Sequence, residues 1–136
     1  MIYFFDTNIL VYMLDNNEPE RQPKAIACFE DAVLNHTIVL STQVLHEFYN
    51  ITTRKLRLDP ADAAQRVHNL CAFEIMGSAS QHTLAALELV QRYKLQWWDA
   101  LVLEAAMRAK ADVLYSEDNQ HGQRYGNLRV VNPFLA

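Results

Sequence analysis

Apolar and polar stretches alternate along the chain in a way that predicts strands and helices in turn. The first stretch, 2–5, is the continuous apolar run IYFF, which is typical of a strand buried on both faces in a parallel sheet. The segment 37–41 is β-branched and apolar and predicts a second strand. The predicted strands cover 2–5, 37–41, 72–76, 112–116 and 128–131.

Between these strands, apolar residues recur at spacings of three and four, which predicts amphipathic helices. The segment 42–54 shows the pattern clearly, with Val44, Phe48 and Ile51 on one face. Strands that alternate with helices indicate an α/β fold, a three-layer α/β/α sandwich around a mostly parallel sheet of about five strands. The predicted helices cover 7–14, 20–34, 42–54, 60–70, a segment beginning at Ser80, and 97–110.

Length and composition favour one domain over residues 1–136. The chain is 51% hydrophobic and 21% charged, which suits one core and leaves little length for a second. No apolar run approaches the ~18 to 20 residues that span a bilayer, and the strand-like start argues against a signal peptide. Cys28 and Cys71 lie among apolar neighbours without C-x-x-C spacing, so we expect buried free thiols and a reducing, cytoplasmic compartment.

The net charge is −4, from 12 Lys and Arg and 16 Asp and Glu. A sequence-independent nucleic-acid binder is usually basic, so the charge alone argues against that class of protein. If four of the acids converge on a metal site, however, the remainder of the chain is neutral, and a bound divalent cation reverses the local field. Bulk charge therefore does not exclude a polyanionic substrate.

Four carboxylates fall at one edge of the predicted sheet, although they come from four separate segments. Asp6 ends the first strand, and Asp118 lies two residues beyond the fourth. A crossover helix that directly follows or precedes a strand begins at the carboxyl edge, which places Glu47 and Asp99 at this edge too. Ligands of open α/β sheets bind outside the carboxyl ends of the strands, so this is the expected working edge.

Each of these acids has an ordinary structural explanation when it is taken alone. Asp6 could cap the following helix, Asp99 could complement a helix dipole, and Glu47 could pair with a Lys or Arg. Four acids at one edge are harder to explain as caps, because packed carboxylates raise each other's pKa values unless a cation compensates them. Oxygen-only ligands favour Mg²⁺ or Mn²⁺. The sequence therefore predicts a divalent cation site.

Other acidic and aromatic residues are expected to have structural roles. Glu88 and Glu104 lie within helices and are expected to be solvated. Several aromatic side chains could stack bases or pack a dimer interface, although packing in the core is the expectation for most of them. They are Tyr3, Tyr12, Tyr49, Trp97 and Trp98.

Four short motifs occur in order along nearly the whole chain. They are FDTN at 5–8, STQ at 41–43 followed by Glu47, WDA at 98–100, and SEDNQHG at 116–122. In this order they resemble the PIN-domain family, and within it the small bacterial toxins of the VapC type. The resemblance implies a PIN-like fold and a divalent-metal-dependent endoribonuclease, the toxin of a type II toxin–antitoxin system.

The resemblance also implies roles for individual residues. An acid quartet would hold one or two Mg²⁺ or Mn²⁺ ions and hydrolyse RNA phosphodiesters with metal-activated water. Relatives of this type are usually homodimers that an antitoxin holds inactive. Thr7, Asn8 and Ser116 match polar supporting positions, and Glu117 is an extra carboxylate that could substitute for its neighbour. The implied quartet is Asp6, Glu47, Asp99 and Asp118.

Contacts to the RNA backbone require cations. The predicted contacts are Arg54, Lys55 and Arg124, and any one of them is also explained by a solvated face. The alternative function is a catalytically silent PIN-like module that binds RNA or a protein. A phosphatase with an aspartyl intermediate is a poorer fit, because it needs a second Asp where this chain has Asn8.

Overall fold

A six-stranded sheet carries the fold in the computed structural model, which describes residues 1–135. The strands are β1 (Ile2–Phe5), β2 (Thr37–Ser41), β3 (Glu74–Met76), β4 (Val113–Tyr115), β5 (Arg124–Tyr125) and β6 (Leu128–Val131). The helices are α1 (Thr7–Tyr12), α2 (Arg21–Asn35), α3 (Thr42–Arg54), α4 (Pro60–Leu70), α5 (Ser80–Tyr93) and α6 (Trp97–Arg108).

The first strand lies inside the sheet, whose order is β3-β2-β1-β4-β6-β5. Phe4 of β1 is in register with Val39 of β2 on one side and with Leu114 of β4 on the other, and both pairings are parallel. Phe4 and Phe5 are fully buried, as the continuous apolar run predicts for a strand covered on both faces.

The order of the strands explains why helices cover both faces. The chain moves from β1 to β2 to β3 in one direction and then returns past β1 to β4. Since parallel crossovers are right-handed, α1 to α4 lie on one face, and the reversed direction places α5 and α6 on the other. The contacts agree, because α3 packs on α1 and α4 whereas α5 packs on α6. The predicted three-layer α/β/α sandwich is confirmed.

The sheet has six strands, one more than the sequence pattern predicts. The additional strand, β5, lies within the segment predicted to be a polar loop and pairs antiparallel with β6. Tyr125 is in register with Leu128, so the two strands are joined by a two-residue turn in which Gly126 has φ +62°. Two residues are too few to show the alternation by which a strand is recognised.

Three side chains differ in burial from what the sequence predicts. Cys71 is exposed and Cys28 is half-buried, so neither is a fully buried thiol. Glu104, expected to be solvated, is only 8% exposed and accepts two hydrogen bonds from Arg108, at 2.8 and 3.1 Å. This i,i+4 ion pair stabilises the buried carboxylate. Across residues 1–135, no helix combines the length and hydrophobicity that a membrane-spanning segment needs.

Candidate active site

The carboxyl end of β1 lies at the point where the direction of the crossovers reverses. The strand lies between β2, reached by helices on one face, and β4, reached by helices on the other. Such a switch point leaves a crevice beyond the strand ends, where ligands of open α/β sheets bind. Asp6 is the first residue after β1 and caps α1, because its Oδ1 accepts a hydrogen bond from the Thr7 backbone N–H at 2.7 Å.

The four acids predicted from the sequence line one small cavity at this point. It has a volume of about 70 Å³, and its walls come from the β1–α1 junction, α3, α6 and the segment after β4. Asp6 is only 6% exposed, Glu47 and Asp99 are half-buried, and Asp118 is exposed at the rim. The lining residues are Asp6, Thr7, Asn8, Gln43, Glu47, Trp98, Asp99, Val102 and Asp118.

Three polar side chains matched to supporting positions each hold a different acid. Ser116 Oγ donates to Asp6 Oδ2 at 2.8 Å. Thr7 Oγ1 donates to Glu47 Oε1 at 3.2 Å, and Asn8 Nδ2 donates to Asp118 Oδ2, also at 3.2 Å. All three donors are neutral, so they orient the carboxylates without neutralising their charge.

Gln43 is a site residue to which the sequence reasoning assigned no role. Its Nε2 donates to Glu47 Oε1 at 3.0 Å and to the backbone oxygen of Trp98 at 3.5 Å, which links the first turn of α3 to that of α6. The signal was present in the sequence, because residues four apart on a helix face each other and Gln43 lies four residues before Glu47.

Burial and mutual repulsion raise the pKa values of three of the acids. Burial is the largest cause for Asp6 and raises its pKa to about 7, against the lowering effect of hydrogen bonds from Ser116 and Thr7. The pKa of Asp99 is raised by burial and then by the charges of Asp118 and Glu47. Burial also raises the pKa of Asp118. The cavity therefore disfavours a full set of ionised carboxylates without a compensating cation.

No protein cation compensates the four acids within the part of the chain that the structure describes. None of the four acids forms an ion pair with a Lys, Arg or His of the described chain. The carboxylate of Asp99 also accepts no hydrogen bond from any residue among 1–135. The donor set consists only of oxygen atoms and carries excess negative charge, which fits a hard divalent cation such as Mg²⁺ or Mn²⁺.

The side chains as they stand do not enclose an ion. Over residues 1–135, no three His, Cys, Asp or Glu side chains are grouped closely enough to hold a metal. Mg²⁺ commonly keeps several waters and binds through one or two carboxylates, so an open set of acids still fits this ion.

Glu117 lies outside the cavity, although it is next to Asp118 in sequence. Its carboxylate accepts hydrogen bonds from the Tyr12 hydroxyl and from Arg21 Nε, the latter at 2.9 Å. The Arg21 guanidinium lies 5.6 Å from the centre of the Tyr12 ring and 5.4 Å from that of Phe134. Glu117 is thus held by α1 and α2, and the structure places only Asp118 in the cavity.

The three predicted RNA-binding cations also lie away from the acids. α3 begins at the carboxyl edge, so Arg54 and Lys55 at its far end are displaced from Glu47 by about 10 Å along the helix axis. Arg124 is in register with Arg129, which pairs with the first residue of β4 and therefore lies at the amino edge. None of these side chains lines the acid cavity.

Comparisons with known proteins identify the family. The model of the PIN domain family matches residues 3–127, whereas a comparison with curated protein sequences gave no match. Among solved structures, the chain is similar to a toxin–antitoxin complex from Klebsiella pneumoniae, with 21% identity and a TM-score of 0.72 over 96% of this chain and 97% of that one.

Two further solved structures have the same fold. VapC20 of Mycobacterium tuberculosis, a toxin that cleaves the sarcin–ricin loop, has 16% identity and a TM-score of 0.68 over 87% of this chain and 91% of that one. VapBC2 from Rickettsia felis, bound to a DNA fragment from its promoter, has 24% identity and a TM-score of 0.67 over 96% and 97%. With a family match that covers most of its length, the chain belongs to the PIN domain family.

Proposed function

We propose that the protein is a divalent-metal-dependent endoribonuclease that acts as the toxin of a type II toxin–antitoxin system. The observation that carries the proposal is the cavity at the end of β1, which four carboxylates line without a protein cation among residues 1–135. Such a group of acids is costly to maintain for stability alone, because burial and repulsion raise the pKa values of Asp6, Asp99 and Asp118.

A cation would be held by Asp6, Asp99 and Asp118, with Glu47 completing the set. A divalent ion in this position supplies positive charge for a phosphodiester and lowers the pKa of water. The hydrogen bonds from Ser116 and the Thr7 backbone favour the ionised form of Asp6, which is the form that binds a cation.

Glu47 is placed to orient the attacking water. Its Oε1 accepts hydrogen bonds from both Thr7 and Gln43, which fixes the carboxylate on α3. Its Oε2 accepts none from residues 1–135 and is free to accept one from water. Attack of that water on phosphorus breaks the bond to the 3′ oxygen of the preceding nucleotide, so the products carry a 5′-phosphate and a 3′-hydroxyl.

The similar structures support the biological role. The Klebsiella pneumoniae structure is a toxin–antitoxin complex, and the Mycobacterium tuberculosis protein is a toxin that cleaves RNA in the sarcin–ricin loop. An RNA substrate and an antitoxin partner for this chain follow from that likeness as part of the proposal. Homodimer formation stays a prediction.

The test is cleavage of RNA by the purified protein in Mg²⁺ or Mn²⁺, with and without EDTA. We expect EDTA, Asp6→Asn and Asp99→Asn each to abolish cleavage, and Asp62→Asn to leave it unchanged. Asp62 is a matched control, because this exposed acid on α4 forms an ion pair with Arg66 and lines neither the acid cavity nor its neighbour. Product ends should be 5′-phosphates. RNA binding without cleavage under any divalent metal would favour the catalytically silent alternative.

A further inference from the structure

A second, larger cavity adjoins the acid cavity and has no role in the scheme above. It has a volume of about 480 Å³ and lies between the first turns of α3, the start of α6 and the segment before α5. Gln43, Glu47 and Trp98 are walls of both cavities, so a bound chain can extend from one into the other. The lining residues are Thr42, Gln43, His46, Glu47, Asn50, Ser78, Trp98 and Leu101.

Trp98 contributes an exposed aromatic side chain to this cavity, since the residue is 62% exposed. It lies next to Asp99 in the first turn of α6, and its backbone oxygen accepts the hydrogen bond from Gln43. Trp98 is therefore not one of the aromatic residues that pack in the core. An exposed indole beside a phosphodiester-cleaving site offers a flat face on which a base can stack.

Polar side chains form the remaining rim. The side chains of Thr42, His46, Asn50 and Ser78 donate or accept no hydrogen bond within the described chain, 1–135. Together they present hydroxyl, imidazole and amide groups, which include both donors and acceptors. Single-stranded RNA is recognised in this way, by stacking on an aromatic ring and hydrogen bonds to the edge of an unpaired base.

The charge of the cavity favours a base over a phosphate. No Lys or Arg is among its lining residues, and Glu47 contributes a carboxylate. A phosphate would be repelled there, whereas a neutral, flat and polar-edged group is accommodated. We propose that this cavity, which we name the Trp98 pocket, binds one unpaired base of the RNA substrate beside the cleaved phosphate; the inference rests on the proposed ribonuclease function.

The proposal is tested by the affinity for short, labelled single-stranded RNA oligonucleotides of each of the four bases, measured by fluorescence anisotropy in the non-cleaving Asp6→Asn background. We expect Trp98→Ala to weaken binding about tenfold, the scale of one lost stacking contact, and Trp98→Phe to retain most of the affinity. Leu84→Ala is the matched control, because Leu84 is also 62% exposed but lies on α5 away from both cavities.

A second measurement uses an oligonucleotide in which abasic positions replace the bases. We expect the parent protein and Trp98→Ala to bind it with equal affinity, since the stacking partner is missing. In cleavage assays without the Asp6 substitution, Trp98→Ala should raise KM and leave kcat within about twofold, because the pocket binds the base and leaves the chemistry to the acids.

Unchanged affinity of Trp98→Ala for intact RNA would overturn the proposal that the Trp98 pocket binds a base. The proposed ribonuclease function would stand if the wild type still cleaves RNA. A change in sedimentation coefficient with unchanged RNA affinity would assign the ring to contacts with a second copy of the chain and would also overturn the proposal. If the wild type neither binds nor cleaves RNA, the proposed ribonuclease function is wrong, and the Trp98 pocket proposal, which rests on it, is wrong as well.

Discussion

Ser116 and Asp6 are 110 residues apart in sequence and share a 2.8 Å hydrogen bond from the serine hydroxyl to Asp6 Oδ2. The bond joins the first residue after β4 to the first after β1. Ser116 Oγ also accepts hydrogen bonds from the backbone N–H groups of Asp118 and Asn119, at 3.2 and 3.3 Å. One hydroxyl therefore positions both Asp6 and the segment that carries Asp118.

Replacing Ser116 with Ala should weaken the affinity for Mn²⁺ about tenfold, because hydrogen bonds to charged groups contribute about 1.5 to 3 kcal/mol. Without the hydroxyl, the pKa of Asp6 rises further and the segment after β4 loses two hydrogen bonds. Calorimetric titration with Mn²⁺ measures the change. Ser80→Ala at the start of α5 is the control, and equal affinities for the two variants would contradict the role of Ser116.

The metal-free protein should lose stability as the pH rises from about 4 to about 7. Burial raises the pKa of Asp6 from 3.8 to about 7, so the folded state binds more protons than the unfolded state in this range. The loss of unfolding free energy is up to about 4 kcal/mol, and the raised pKa values of Asp99 and Asp118 act in the same direction.

Urea unfolding in EDTA, at about pH 5 and about pH 8, measures this dependence. Asp6→Asn should flatten the slope and make the metal-free protein more stable than the wild type at the higher pH. The Asn side-chain oxygen can still accept from the Thr7 N–H, whereas its amide nitrogen cannot replace the acceptor for Ser116, whose Oγ already accepts from two backbone N–H groups. A wild-type stability that falls over this range no more than that of Asp6→Asn would show that Asp6 ionises without cost and would contradict the prediction.

Thr7→Val should lower kcat about fivefold and leave KM nearly unchanged. The substitution removes the hydroxyl that donates to Glu47, while the backbone N–H still binds Asp6. At 3.2 Å and only partly buried, this bond is weaker than the one from Ser116 to Asp6, and its net contribution is about 1 kcal/mol. Because Gln43 still holds Glu47, the combination with Gln43→Leu should cost more than the sum of the single losses. Steady-state cleavage of an RNA oligonucleotide tests this, and a selective rise in KM would argue against a positioning role.

Asp118 and Glu117 should differ sharply, although they are adjacent. Asp118→Asn should reduce cleavage by at least about a hundredfold, the effect expected of a group at the reacting centre. Glu117→Gln should leave Mn²⁺ affinity within about twofold and lower the unfolding free energy by about 1 kcal/mol, since it weakens a partly exposed ion pair with Arg21. A larger loss of cleavage for Glu117→Gln than for Asp118→Asn would assign the catalytic role to Glu117 and the structural role to Asp118.

The acid edge could be predicted from the sequence because it depends on topology alone. A helix adjoining a parallel strand begins at the carboxyl edge, so the positions of Asp6, Glu47, Asp99 and Asp118 follow once the strands are identified. The tertiary partners of side chains could not be predicted in this way. Glu117 is held by Arg21, 96 residues away in sequence, and no local pattern announces that pairing.

The distance of the predicted cations from the acids was also not available from the sequence, and their contact with RNA stays a prediction. Arg54 and Lys55 were selected by charge, but the length of α3 carries them about two turns past Glu47. Which of the aromatic residues is exposed was likewise left open, because an aromatic residue in an apolar helix is most often buried whereas Trp98 is not.

Binding of Mn²⁺ by calorimetry tests the shared cation site most directly when wild type is compared with Asp99→Asn and Asp62→Asn. Asp99 suits this comparison because no residue among 1–135 contacts its carboxylate through a hydrogen bond or ion pair, so the substitution leaves the fold intact. We expect Asp99→Asn to lose at least about tenfold in affinity with a melting temperature no lower than that of the wild type, because the substitution removes a carboxylate whose pKa is raised, and Asp62→Asn to bind as the wild type does. Equal Mn²⁺ affinity in all three proteins, or none in the wild type, would contradict a cation site shared by the four acids.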